Sequence, residues 1–99
     1  MSRAGLELRW RPMALTDREA IMAFIAADNA AAIELDQEFE DKAENARQRP
    51  TLYKAGRVKG TRELVVRPNY VIVYRVLADA VEILRVLHTA QQWPPATSR

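Results

Sequence analysis

A chain of 99 residues has room for one hydrophobic core, so a cleft between two domains is excluded and any site belongs to a single domain, residues 1–99. Hydrophobic residues make up 48% and charged residues 28%, and the formal net charge is +2, which excludes a disordered, collagen-like or supercharged chain. That small total conceals a segregation: residues 1–44 hold five basic and ten acidic side chains, residues 45–99 ten basic and three acidic ones. The absence of cysteine removes disulfides, thiolate metal sites and cysteine nucleophiles, and a single histidine argues against a histidine metal site. No signal-peptide or membrane-length apolar run occurs, so a cytoplasmic protein with no membrane partner is expected.

Residues Leu6 to Arg11 alternate Leu6, Leu8 and Trp10 with charged residues, the period-two pattern of a half-buried strand, ended by Pro12. Thr16 and Glu19 have the spacing of a capping box, and Ile21, Phe24 and Ile25 form an apolar stripe, which predicts a first helix from about Asp17 to Ala27. A break at Asp28-Asn29, with Asn29 as a cap, precedes a second helix whose stripe is Ala32, Leu35, Phe39, Ala43 and Ala46. Its remaining positions carry Glu34, Asp36, Glu38, Glu40, Asp41 and Glu44, which read as a solvated acidic face with Glu38 and Lys42 spaced for one ion pair. Two striped helices joined by a short break predict an antiparallel hairpin that lies on something.

The segment Gln48 to Gly60 lacks periodicity and reads as a loop long enough to suspect function. Seven basic residues fall between Arg47 and Arg67, namely Arg47, Arg49, Lys54, Arg57, Lys59, Arg62 and Arg67, against Glu63 alone. Three strands follow: Arg62 to Val66, Tyr70 to Val76 and, after a hairpin loop at Leu77-Ala78-Asp79-Ala80, Val81 to Leu87. Gln91 to Arg99 is a proline-containing tail. The expected fold is α+β, in the order β-α-α-β-β-β, with a small antiparallel sheet against the N-terminal helical hairpin.

No phosphate-binding loop, dinucleotide fingerprint, zinc spacing or nucleophile elbow is present, so no cofactor or metal is expected. What remains is a basic loop beside a sheet, the electrostatic requirement for holding a phosphate backbone. Arg75 and Arg85 interrupt apolar strands, and each must find a carboxylate, carbonyls or an anionic ligand. By strand parity Arg85 points with Val81, Ile83 and Leu87, and Arg75 with Val71 and Val73. Either arginine can pair with Glu63 or Glu82, or stabilise a scissile phosphate. His88, three residues after Arg85, is the one residue suited to proton transfer near neutral pH, and it can equally be structural. Tyr70 and Tyr74 read as core, whereas Trp93 in the tail suits stacking or anchoring a partner.

Arg57 to Val66, Arg67 to Val76 and Val81 to His88 together resemble the RelE/ParE superfamily of bacterial toxins, the toxin halves of type II toxin–antitoxin modules. The resemblance implies plasmid-stabilisation biology, growth arrest, and neutralisation by a cognate antitoxin that wraps around the toxin. RelE-like members enter the ribosome and cleave mRNA through its own 2′-hydroxyl; ParE-like members inhibit DNA gyrase and are not nucleases. Under the first, favoured reading the chain is an mRNA interferase: Arg85 and Arg62 stabilise the phosphate, His88 carries the proton, and Lys54, Arg57, Lys59, Arg67 and Trp93 bind RNA or the target. Arg85 matches the last-strand arginine of YafQ-like nucleases and Trp93 their C-terminal aromatic. Val65 and Asn69 stand where these have histidine and aspartate, His88 lies one position before their C-terminal histidine, and Val71 replaces a catalytic arginine of RelE. Under the second reading the basic residues form a protein-binding surface and His88 is replaceable.

Overall fold

The computed structural model describes residues 5–25 and 29–95. Its elements are β1 (Glu7–Trp10), α1 (Pro12–Phe24), α2 (Asn29–Gln48), β2 (Lys54–Ala55), β3 (Arg62–Arg67), β4 (Tyr70–Val76) and β5 (Ala80–His88). The α+β class and the strand–helix–helix–strand order are as expected, but the sheet has five strands, in the order β1-β5-β4-β3-β2. It is also mixed. Strands β2 to β5 are antiparallel neighbours, whereas β1 joins the far edge parallel to β5, with Leu8 opposite Val81 and Trp10 opposite Ile83.

Helix α1 starts five residues before the expected Asp17. Pro12, read as a strand stop, is also the first helical residue, where its fixed φ suits a helix and its missing N–H costs nothing. The N-cap is Arg11, with no side-chain cap, so the Thr16–Glu19 capping box is not formed. The expected helix end at Ala27 and the break at Asp28 lie outside the described residues. Ala14 is fully buried where α1 meets β5, and Ile21, Met22 and Ile25 pack against the core. Phe24, expected in the stripe, is instead 85% exposed.

In α2 the five predicted stripe residues are all buried, and Asn29 is its first residue. Phe39 meets Tyr70 edge-on at 5.8 Å between centroids, which locks the helix to the middle of the sheet. The acidic face does more than meet water. Arg18 of α1 donates to Asp36 at 2.9 Å and Glu40 at 2.6 Å, and Arg67 of β3 grips Glu38 at 2.9 and 2.6 Å. The expected Glu38–Lys42 pair thus gives way to a bidentate guanidinium, which matches a carboxylate better than one ammonium does.

The segment after α2 is pinned at several points. The buried hydroxyl of Tyr74 donates to the Pro50 carbonyl at 2.7 Å, and Arg62 donates to the Tyr53 carbonyl at 2.6 Å. Lys54–Ala55 then pairs with β3, so part of the expected loop is edge strand. Gly56 is required where the chain passes β3, since a Cβ there would lie 2.3 Å from the Thr61 hydroxyl, and Gly60 turns at φ +85°.

One irregularity decides the facing of the last strand. Val73 opposes Arg85 but Tyr74 opposes Ile83, so Leu84 is an unpaired bulge residue. Val81 and Ile83 therefore face the helices, while Arg85 and Leu87 share the opposite face with Val71 and Val73, a correction to the simple parity count. Arg75 lies as expected on the face of Val71 and Val73 and donates to Glu82 at 2.6 Å. Phe39→Ala is expected to cost about 3–5 kcal/mol in urea unfolding, because it empties the centre of the core, whereas Phe24→Ala should change stability by less than about 0.5 kcal/mol.

Candidate functional site

Arg85, the residue with the sharpest expected role, is held by α1. Its Nε and Nη2 donate to Asp17 at 2.7 and 3.0 Å, and the same carboxylate accepts the backbone N–H of Val86 at 2.9 Å. The Asp17 hydrogen bonds push the guanidinium's pKa further above its ordinary value, against the opposing effect of burial. Its central carbon also lies 5.4 Å from the ring of Trp93, so a cation–π contact closes another side. Asp17 escaped the sequence reading as a partner. The available signal was its spacing, since Ala14, Asp17 and Ile21 fall on one inner face of α1.

His88 lies at the other end of a helix-side hollow of about 340 Å³, lined by Asp17, Ala20, Ile21, Phe24, Tyr70, Val86 and Gln91. Its ring meets Tyr70 edge-on at 5.3 Å, and its backbone N–H donates to Gln91 Oε1 at 2.8 Å. The backbone N–H of Ala90 donates to His88 Nδ1 at 3.0 Å. That bond uses the Nδ1 lone pair, so it favours the tautomer that carries its proton on Nε2.

Arg62 is elsewhere. It stands opposite Tyr74, whereas His88 stands opposite Tyr70, four residues along β4 or roughly 13 Å at strand rise. Its guanidinium is directed at the carbonyls of Tyr53 and, at 3.5 Å, Thr51. The three residues expected to share one reaction centre are thus on different parts of the sheet, and among the described residues no group of three or more acids and histidines could hold a metal ion.

The basic segment divides. Arg67 is committed to Glu38, and Arg57 donates twice by side chain and once by backbone to Glu63, at 3.0, 3.2 and 2.9 Å. Burial pushes the Glu63 carboxyl up, but these hydrogen bonds outweigh it and hold the group below the usual carboxylate range. Lys54 and Lys59 are exposed and make no ion pair among the described residues. Trp93 does not project as a free stacking platform: it packs against the cluster of Val71, Val73 and Leu87 and covers part of the sheet's outer face.

A five-stranded mixed sheet under two antiparallel helices, with an arginine near the end of the last strand and a basic edge segment, defines a small toxin fold of the RelE/ParE kind. Residues 8–93 match the family described as ParE toxin of type II toxin-antitoxin system, parDE, and the chain belongs to that family. It is 38% identical, over 88% of its own length and 92% of the relative's, to protein Y4kP of Sinorhizobium fredii, whose name marks it as a candidate toxin. Among solved structures it is similar to the chromosomal ParDE toxin–antitoxin system of P. aeruginosa, with a TM-score of 0.76 at 20% identity, covering 85% of this chain and 96% of that one. The YoeB/ParE toxin of Agrobacterium tumefaciens has a TM-score of 0.63 at 17% identity, with 84% and 98% covered. The E. coli DinJ–YafQ toxin–antitoxin complex has a TM-score of 0.55 at 14% identity, with 87% and 94% covered. The chain is therefore a toxin of the type II toxin–antitoxin class. Among the described residues no helix is long and apolar enough to cross a membrane.

Two measurements test this geometry. Asp17→Ala strands a largely buried guanidinium and the Val86 N–H, and should lower unfolding free energy by about 3–5 kcal/mol in urea titration, while Asp17→Asn, which keeps an acceptor, loses less. For Glu63 the folded pKa lies below the unfolded one, so its stabilisation is present above the unfolded value near 4.3 and is lost as pH falls through the folded value. Urea midpoints measured from pH 6 down to 3 should accordingly fall more steeply for the wild type than for Glu63→Gln.

Proposed function

We propose that this ParE-family toxin arrests growth by inhibiting DNA gyrase and is not an mRNA nuclease. The observation that carries this reading is the occupation of Arg85. A guanidinium that is to stabilise charge developing on a phosphate must have donors aimed at it, and here the paired donors point into Asp17. Releasing them means exposing a carboxylate that also holds the Val86 amide. His88 supports the same reading, since the bond accepted at Nδ1 favours the tautomer already protonated at Nε2, the poorer state for taking a proton from a 2′-hydroxyl there. The substitution of Val65, Asn69 and Val71 at positions where nuclease relatives carry reactive groups agrees with both.

In this reading the exposed charges of Lys54 and Lys59, with Arg57 tied to Glu63 beside them, meet a protein surface rather than RNA. Arg67, tied to Glu38, secures β3 to α2, and Arg62 orders the segment leading into β2. Toxicity is then a property of surface and shape, and it is relieved when the antitoxin covers that surface.

The test pairs two purified assays with one variant. Gyrase supercoiling should be inhibited by the toxin, and programmed ribosomes should yield no cuts in the A-site codon. His88→Ala should arrest growth within about twofold of the wild type. Codon-specific mRNA cleavage with supercoiling untouched would overturn the proposal, and so would loss of toxicity in a folded His88→Ala protein. Those results would restore the ribosomal reading, with Arg85, Arg62 and His88 as its reactive set.

A further inference from the structure

The face of the sheet turned away from the helices is only partly covered. Trp93 shields Val73 and Leu87 on the β5 side, whereas on β3 Val65, directly opposite Val71, is left 56% exposed. Beside this valine pair is an open cleft of about 390 Å³, lined by Lys54, Arg57, Glu63, Val65 and Val71, with Thr89 at its far wall.

Its charges are unequal in their freedom. Glu63 and Arg57 neutralise one another through three hydrogen bonds. Lys54 stands opposite Glu63 on the exposed edge strand and also acts on that carboxylate electrostatically, so two cations share one acid and the rim keeps one net positive charge. An aliphatic floor beside this surplus positive charge suits an anion carried next to an aliphatic group. A nucleic-acid strand is poorly served: no aromatic ring lines the cleft to stack a base, one lysine neutralises one phosphate at most, and the Glu63 carboxylate lies beside it.

We propose that this cleft docks an extended segment of a protein partner, with an aliphatic side chain seated on Val65 and Val71 and a carboxylate two residues away on Lys54. Spacing supports the pairing. Lys54 and Val65 are one strand apart and two residues out of register, roughly 8 Å by strand dimensions, close to the ~7 Å between residues i and i+2 of an extended chain. The proposal rests on the reading that this surface meets a protein.

The test is an NMR titration of the intact toxin with capped hexapeptides containing Val-Thr-Glu, Val-Thr-Lys or Ser-Thr-Glu, and separately with inorganic phosphate and with hexathymidylate. The Val-Thr-Glu peptide should shift the amides of Lys54, Val65 and Val71 and saturate at least tenfold more tightly than either altered peptide. Lys54→Glu should weaken it at least tenfold and bring the Val-Thr-Lys peptide to within threefold of the original affinity; Val65→Ser should weaken it without that exchange. Equal binding of the three peptides overturns the proposal, as does the absence of saturable shifts, saturation at another surface, or phosphate or hexathymidylate moving the same amides at equal or lower concentration. The spectra report folding of each variant directly. Since toxicity is not read, failure here and failure of the gyrase reading register separately.

Discussion

The carboxylate of Asp17 sits where two layers of the structure would otherwise part. Strand β1 accompanies β5 only as far as Ile83, and the chain then turns into α1. Beyond that point the outer edge of β5 has no strand beside it, and the N–H of Val86 would be an unpaired donor under a helix. One acidic side chain from α1 accepts that N–H and the Nε and Nη2 donors of Arg85. Such a pair need not add much net stability, because desolvating two charges offsets much of their attraction, but it is costly to break from one side. Its effect is to fix where α1 lies along β5, and through Arg18 where α2 lies along α1.

The segregation of charge along the chain acquires a structural meaning from these contacts. Asp17 and Glu38, in the acidic half, reach Arg85 and Arg67 in the basic half, while Arg9 and Arg11 reach Asp79 and Glu82 the other way. The exchange is about even in both directions, so folding joins the halves without erasing their opposite signs. What is left over is an acidic helical surface on one side and an edge bearing Lys54 and Lys59 on the other. Charges in that arrangement favour partner choice and encounter over stability.

How much of this was legible depended on whether a rule of fixed period applied. Helix α2 has an uninterrupted amphipathic pattern, and each of its stripe residues is buried. Strands β4 and β5 were equally plain from their β-branched composition. The bulge at Leu84 was not, because period-two counting assumes that no residue is skipped, and the skipped residue moved Arg85 to the face opposite Val81 and Ile83. Pro12 carried two meanings, the end of a strand and the start of a helix, and choosing only the first displaced α1 and hid the inward position of Asp17. The basic residues stand out in the sequence as a group, yet which of them are neutralised depends on acids far away in sequence. Glu38 of α2 meeting Arg67 of β3 is a property of packing, with no local signature.

The parallel pairing of the first strand with the last has a consequence for how such a toxin comes into being. Glu7 is held opposite Ala80, and among the described residues β1 has no other strand neighbour, so β1 waits for β5 before its backbone is paired. The Asp17–Arg85 closure imposes the same delay on α1. During synthesis β1 and α1 therefore stay unjoined to β5 until residues 80–88 have been made, and the sheet edge that they cover is completed only then.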